Sequence, residues 1–342
     1  MPRFIFLLLI FSFPAQVLCQ KAISRKQFFN DTTVLQITLH TDLKKLQIEK
    51  EKPRYSPAEI SIKVDDSTGM VTEKARIRQR GKNRRETCGL AALMVDFSEK
   101  GTETRLSNLG EMKWVTPCFI GKESDQWLFR EYLIYKMYNL FTEKSFKVRL
   151  LDITFRDSKG KKEDYNRYGF AIEPTKDLAK RNNCVEEVRK HNTESTDRQQ
   201  MTLVAIFQYM VANPDWSVPV FHNIKLIKSI DSTAVHRPYV VPYDFDYAGA
   251  VNTSYSIPSE LLPIKYVTDR YYMGFTRSLE EVNATLSLFR ENEQKIMDLI
   301  KTFPLLSNYH RKEMEGFIKS FFKIISNEKD VKEIFVNRAR TK

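Results

Sequence analysis

An α+β fold in two lobes is predicted, with a β-rich N-terminal lobe over residues 20–175 and a mainly helical C-terminal lobe over residues 176–342. Three observations carry this. Alternating apolar and polar residues dominate from Val34 to Val115, helical spacing dominates from Trp127 onward, and no Pro/Gly/Ser linker, low-complexity tract or internal repeat interrupts the chain. With 42% hydrophobic and 12% aromatic residues, the roughly 320 residues left after removal of a leader can bury a substantial core, as one two-lobed domain or two small ones.

The leader comes first. Arg3 precedes an apolar run from Phe4 to Phe13, followed by Pro14 and Val17-Leu18-Cys19-Gln20. A charged start, a short apolar stretch and a cleavage site after Cys19 make residues 1–19 a signal peptide. The run is too short to span a bilayer. A lipid anchor at Cys19 fits less well, because Leu18 is larger than the small residue such a site has before its Cys. No later stretch approaches the ~18 apolar residues of a membrane helix. An exported protein of the periplasm, envelope or extracellular space is expected, with no transmembrane segment.

Strand signals follow. Leu35-Gln-Ile-Thr-Leu39 and Ala58-Glu-Ile-Ser-Ile-Lys-Val64 alternate with period two. The run Arg76, Arg78, Arg80, Lys82, Arg84 and Arg85 continues at strand spacing, which suits either an anion site or an edge strand protected by charge. Three cysteines remain after the leader, Cys88, Cys118 and Cys184, so at most one internal disulfide forms. A Cys88–Cys118 bridge would join strand-like segments. No Cys-x-x-Cys or His cluster suggests a metal bound by sulfur or imidazole. The formal charge of +12 favours anionic partners, and no aromatic residues interleave with the basic run to stack bases, which argues against nucleic acid.

Helices are expected at Trp127–Leu140, Arg198–Val211, Leu279–Phe303 and Tyr309–Ile325. Between the second and third lies the stretch richest in chemistry. Asp215 follows a buried helix, Asn223 comes eight positions later, and Asp244-Phe245-Asp246 ends an apolar run. Ile224–Ile227 and Tyr239–Val241 read as strands with a polar turn between, which puts Asn223 and Asp244 on the ends of one hairpin. An Asp, an Asn and an Asp in this order match a phosphoryl-transfer site, where one carboxylate accepts a hydroxyl proton and an amide oxygen and second carboxylate hold Mg²⁺.

The segment from Asn213-Pro-Asp-Trp216 through His222-Asn-Ile-Lys-Leu-Ile227 to Val241-Pro-Tyr-Asp-Phe-Asp-Tyr-Ala-Gly249 resembles the CotH-type atypical protein kinases, spore-coat kinase relatives and their secreted bacterial cousins. Arg76-Ile-Arg-Gln-Arg-Gly-Lys82, Met112-Lys-Trp-Val115, Trp127–Leu140 and Tyr168-Gly-Phe-Ala-Ile-Glu173 resemble other family segments, so the likeness covers roughly residues 70 to 280. The resemblance implies an atypical protein-kinase-like two-lobe fold, ATP and Mg²⁺ as cofactors, and a protein hydroxyl as acceptor. It makes Asp215 the catalytic base and Asn223 and Asp244 metal ligands, with Asp246 a further ligand. Lys113 would reach the nucleotide phosphates and Glu131 would pair with it.

The chain departs from that pattern in two places. Only Gly81 and Gly89 stand where a glycine-rich phosphate loop would be, and Met94 stands near a place where the family carries a Lys. The alternative is therefore a catalytically silent envelope protein of kinase-like fold that binds an anionic ligand or a partner protein.

Overall fold

The computed structural model describes residues 22–48, 53–65, 69–89, 92–98, 104–231, 233 and 236–341; the expected leader lies outside them. In order the elements are α1 (Arg25–Asn30), β1 (Leu35–Thr41), α2 (Leu43–Ile48), β2 (Ser56–Asp65), β3 (Gly69–Gln79), α3 (Lys82–Thr87), β4 (Leu93–Asp96), β5 (Glu111–Val115), α4 (Lys122–Tyr138), β6 (Val148–Asp157) and β7 (Tyr165–Ile172). The chain continues with α5 (Thr175–Arg181), β8 (Cys184–Glu186), α6 (Arg198–Met210), β9 (Ile224–Ser229), β10 (Tyr239–Pro242), α7 (Leu279–Thr302), α8 (Asn308–Ile325) and α9 (Glu328–Lys332).

The first seven strands close into a barrel in the order β1-β2-β3-β4-β5-β7-β6. All neighbouring pairs are antiparallel except the closing one, in which β1 runs parallel to β6 with Leu35 opposite Leu151 and Thr41 opposite Asp157. Period-two alternation puts one face of each strand inside. Leu39, Ile60, Ile77, Leu93, Val95, Trp114 and Phe155 are fully buried there. Each aliphatic side chain of this set contributes about 1.5–3 kcal/mol by leaving water.

This closed mixed barrel, followed by a helical region, overturns the atypical protein-kinase-like two-lobe fold expected from the sequence. The physical reason is the β1–β6 pairing. It joins segments more than a hundred residues apart, and strand periodicity says nothing about which distant edge a strand will meet. Closure removes the exposed edges that an open sheet leaves.

The arginine-rich run also divides. β3 ends at Gln79, and Gly81, at φ +79°, turns the chain into α3, so Arg84 and Arg85 are helical. Arg76 instead pairs across to Asp96 at 2.5 Å. Cys88, just past α3, forms a disulfide with Cys118, and Cys184 is a buried free thiol.

A second apolar core holds the helices and straddles Ile172, where the chain leaves the barrel. It includes Val115, Leu128, Tyr135 and Phe170 as well as Phe207, Phe245, Phe289 and Phe321. At its centre is α6, every residue of which from Gln200 to Met210 is buried. Its N-cap Asp197 accepts the Gln200 amide at 2.8 Å, meeting one of the donors a helix start leaves open. The three-stranded sheet β10-β9-β8 packs beside it. Among the described residues, no helix is long and apolar enough to cross a membrane.

Candidate functional site

Buried α6 delivers the chain to Ala212, which has φ +51°. A tight backing makes that turn. Gly249 donates its amide to Ala212 O at 2.9 Å, and a Cβ on Gly249 would meet Val267 O at 2.4 Å, so only glycine fits. Asn213 Oδ1 then accepts the Asp215 amide at 3.1 Å. Ser217 and His222 exchange two backbone hydrogen bonds of 2.9 Å, folding the next residues back on Asp215.

Both Asp215 carboxylate oxygens are engaged. Oδ1 lies 2.6 Å from His222 Nε2, and Oδ2 accepts from Asn223 Nδ2 at 2.9 Å. The same Nδ2 also donates to the Asp215 carbonyl at 2.8 Å. Asp215 and His222 remain open to solvent on one side, with side chains 34% and 53% exposed.

Asn223 begins the hairpin. Its carbonyl accepts the Tyr243 amide at 3.0 Å and Ile224 stands opposite Pro242, so Asn223 and Asp244 both lie at the open end of β9 and β10. Asn223 and Asp244 have φ +50° and +61°. Non-glycine residues in the left-handed region cost about 1–3 kcal/mol each and gather at functional sites.

Asp244 donates its amide to the Tyr135 hydroxyl at 2.8 Å. Phe245 is fully buried, its ring 4.9 Å from that of Tyr135, and this anchor fixes the carboxylates on either side of it. Asp246 Oδ2 accepts from the Tyr255 hydroxyl at 3.0 Å and lies 3.9 Å from Arg84 Nε. Burial and then the Asp244 charge push the Asp246 carboxyl up to about 6, against the pull of Arg84.

On α4, Glu131 is only 2% exposed and its Oε1 has no hydrogen-bond partner. Burial and the Asp246 charge raise its carboxyl well above the usual range, opposed by Arg84. Lys113 on β5 faces a different set. Burial, Arg80 and Lys225 lower its ammonium to about 8, while Asp244 and Glu186 oppose them. Its Nζ sits 5.0 Å from the Tyr243 ring centre. The structure thus brings Asp215 together with Asn223, and Asp244 with Asp246, Lys113 and Glu131. Glu131 lies with Arg84 and Asp246, and the Arg80 and Asp244 charges bear on both Glu131 and Lys113.

Among the described residues, no three His, Cys, Asp and Glu side chains are arranged to hold a metal ion. Mg²⁺ asks for less than such a cage, since it keeps several waters and takes one or two carboxylates. The oxygens of Asn223, Asp244 and Asp246 are of the chemical type it takes, and a divalent charge would oppose the burial and the Asp244 charge that raise Asp246. The larger cavities lie elsewhere. One of about 510 Å³ is on the barrel wall around Lys74, Arg76 and Asp96, and one of about 600 Å³ lies between α1 and α5.

No protein-family model and no curated protein matches the chain. The chemistry of these side chains therefore carries the functional argument. His222, Lys225 and Tyr255 are members to which the sequence pattern assigns no role, whereas Arg80 and Arg84 belong to the basic run read as an anion site or a charged edge strand. His222 could have been suspected from its place beside Asn223. Tyr255 carries no local signal and Arg84 only that of the basic run, because packing alone brings them to Asp246.

Proposed function

We propose that the chain is an exported phosphotransferase that moves the γ-phosphoryl group of ATP to a protein hydroxyl with Mg²⁺. The observation that carries this is the bracketing of Asp215 by His222 and Asn223 beside the hairpin end that bears Asp244. In this reading Asp215 takes the proton of the acceptor hydroxyl as that oxygen bonds to the γ-phosphorus and the bond to ADP breaks. His222, half exposed at 2.6 Å, is a route by which the proton reaches solvent. Bound Mg²⁺ supplies charge neutralisation at the phosphates, and Asn223, Asp244 and Asp246 are the residues that would hold it. Burial, then the nearby Arg80 and Lys225 charges, lower the Lys113 ammonium, and three such cations favour an anion between them.

The Cys88–Cys118 disulfide supports an oxidising compartment. So does the charged, apolar leader in the sequence. The likeness to CotH-type kinases over residues 213 to 249 supports the activity but not the kinase frame, which the barrel replaces.

A second reading is a catalytically silent protein that binds an anionic ligand or a partner protein. Arg84 favours it, since a guanidinium already answers the Asp246 charge. Transfer of label from γ-labelled ATP to exported host proteins, with and without Mg²⁺, separates the two. The enzyme gives Mg²⁺-dependent incorporation, and the binding protein gives anion affinity with no incorporation.

A further inference from the structure

Glu131, Asp246, Arg84 and Tyr255 line a cavity of about 10 Å³ together with Cys118. Such a volume holds about one water-sized particle and no hydrated second ion. Two carboxylates share this space, and both Glu131 Oε1 and Arg84 Nε lack hydrogen-bond partners. Arg84 stands 3.9 Å from Asp246 Oδ2, so charge rather than a hydrogen bond holds it there.

The backbone fixes the place of Arg84. Gly81 turns β3 into α3, the Cys88 amide donates to Arg84 O at 2.8 Å, and the Gly89 amide donates to Cys118 O at 3.0 Å. The Cys88–Cys118 bridge then pins this segment to the wall of the same cavity. Opposite, Tyr255 orients Asp246 and is itself set by the rings of Phe119, Trp127 and Tyr247 at 6.0, 6.2 and 5.9 Å.

We propose that Arg84 is the resident cation of the Glu131–Asp246 pair, a positioning residue that fills one of two cation places and limits the site to a single divalent ion on the Asp244 side. This rests on the reading of Asp244 and Asp246 as metal ligands. A guanidinium and a metal ion answer the same electrostatic need, because two buried carboxylates must be neutralised by protons, paired cations or a metal. Arg84 engages Asp246 through Oδ2, the oxygen that also accepts from the Tyr255 hydroxyl.

The test counts bound Mn²⁺ by electron paramagnetic resonance on the mature chain. Wild type and Arg84→Lys should bind one ion each and Arg84→Gln two. The same count in wild type and Arg84→Gln, including none in both, overturns the inference. No ion in wild type and one in Arg84→Gln would leave Arg84 as the occupant of a cation place but overturn the single ion on the Asp244 side, and with it the metal-dependent phosphotransferase reading. If Arg84→Gln does not fold, the Arg84→Gln/Glu131→Gln double variant should, because it removes one charge of each sign. A double variant that stays unfolded, or that binds two ions, also overturns the inference.

Discussion

Asn223 clamps Asp215 through one amide nitrogen, which donates to the Asp215 carbonyl at 2.8 Å and to its carboxylate at 2.9 Å. The carboxylate is thereby held in one orientation while His222 takes its other oxygen. A base used on an incoming hydroxyl needs this kind of fixed aim.

Asp215→Asn is expected to lower phosphoryl transfer by a factor on the order of 10² to 10⁴ with little change in nucleotide affinity, because a base acts on the acceptor hydroxyl. Initial rates and equilibrium binding on the same variant check this. Equal rates in wild type and variant make Asp215 a turn residue.

Asp244→Asn should abolish Mg²⁺-dependent nucleotide binding and leave the thermal melt nearly unchanged. Asn tolerates the φ of +61° found here, and the residue is only half-buried. Calorimetry with and without Mg²⁺ measures it. Unaltered metal and nucleotide affinity would remove Asp244 from the metal site.

The lowered Lys113 ammonium predicts a pH limb. Below pH 8 Lys113 is charged and attracts an anion, and above about 8 it becomes neutral, so affinity for pyrophosphate should fall as pH rises through 8. Binding near pH 8.5 should also take up a proton, since the bound anion favours the charged form. Titration calorimetry in buffers of different ionisation enthalpy detects the uptake. Lys113→Met should lose both effects. For folding the sign is opposite: the unfolded chain binds more protons between pH 8 and the ordinary Lys value of 10.5, so this group's contribution to stability improves as pH rises across that window.

Replacing Cys88 and Cys118 by Ser opens a loop with a sequence separation of 30, which should cost about 3 to 4 kcal/mol in the chain-entropy view. Denaturant unfolding gives the number. A loss well under 1 kcal/mol would mean that the reduced chain already confines α3.

Elements with strong local signals are legible in the amino-acid sequence itself. The helices at Arg198–Met210, Leu279–Thr302 and Asn308–Ile325 lie within a residue or so of the periodic stretches, and β9 and β10 overlap the two short apolar runs. These follow from burial periodicity and capping, such as the Ser278 box with Glu281, which act over three or four residues. The place of Asn223 and Asp244 at the ends of one hairpin is legible for the same reason, since the two strands pair within one short stretch of chain.

The sequence alone determined where the long helices and the β9–β10 hairpin fall, and that Asp215, Asn223 and Asp244 lie within one helix-and-hairpin unit. Only the tertiary structure decided that seven strands close into a barrel, that Arg84 leaves the basic run to meet Asp246, that Glu131 shares a cavity with Arg84, and that Arg80 and Lys225 stand near Lys113. The reason is range. Local patterns record sterics and burial over a few residues, whereas partners far apart in the chain are chosen by loop closure and by the volume left when two cores pack together.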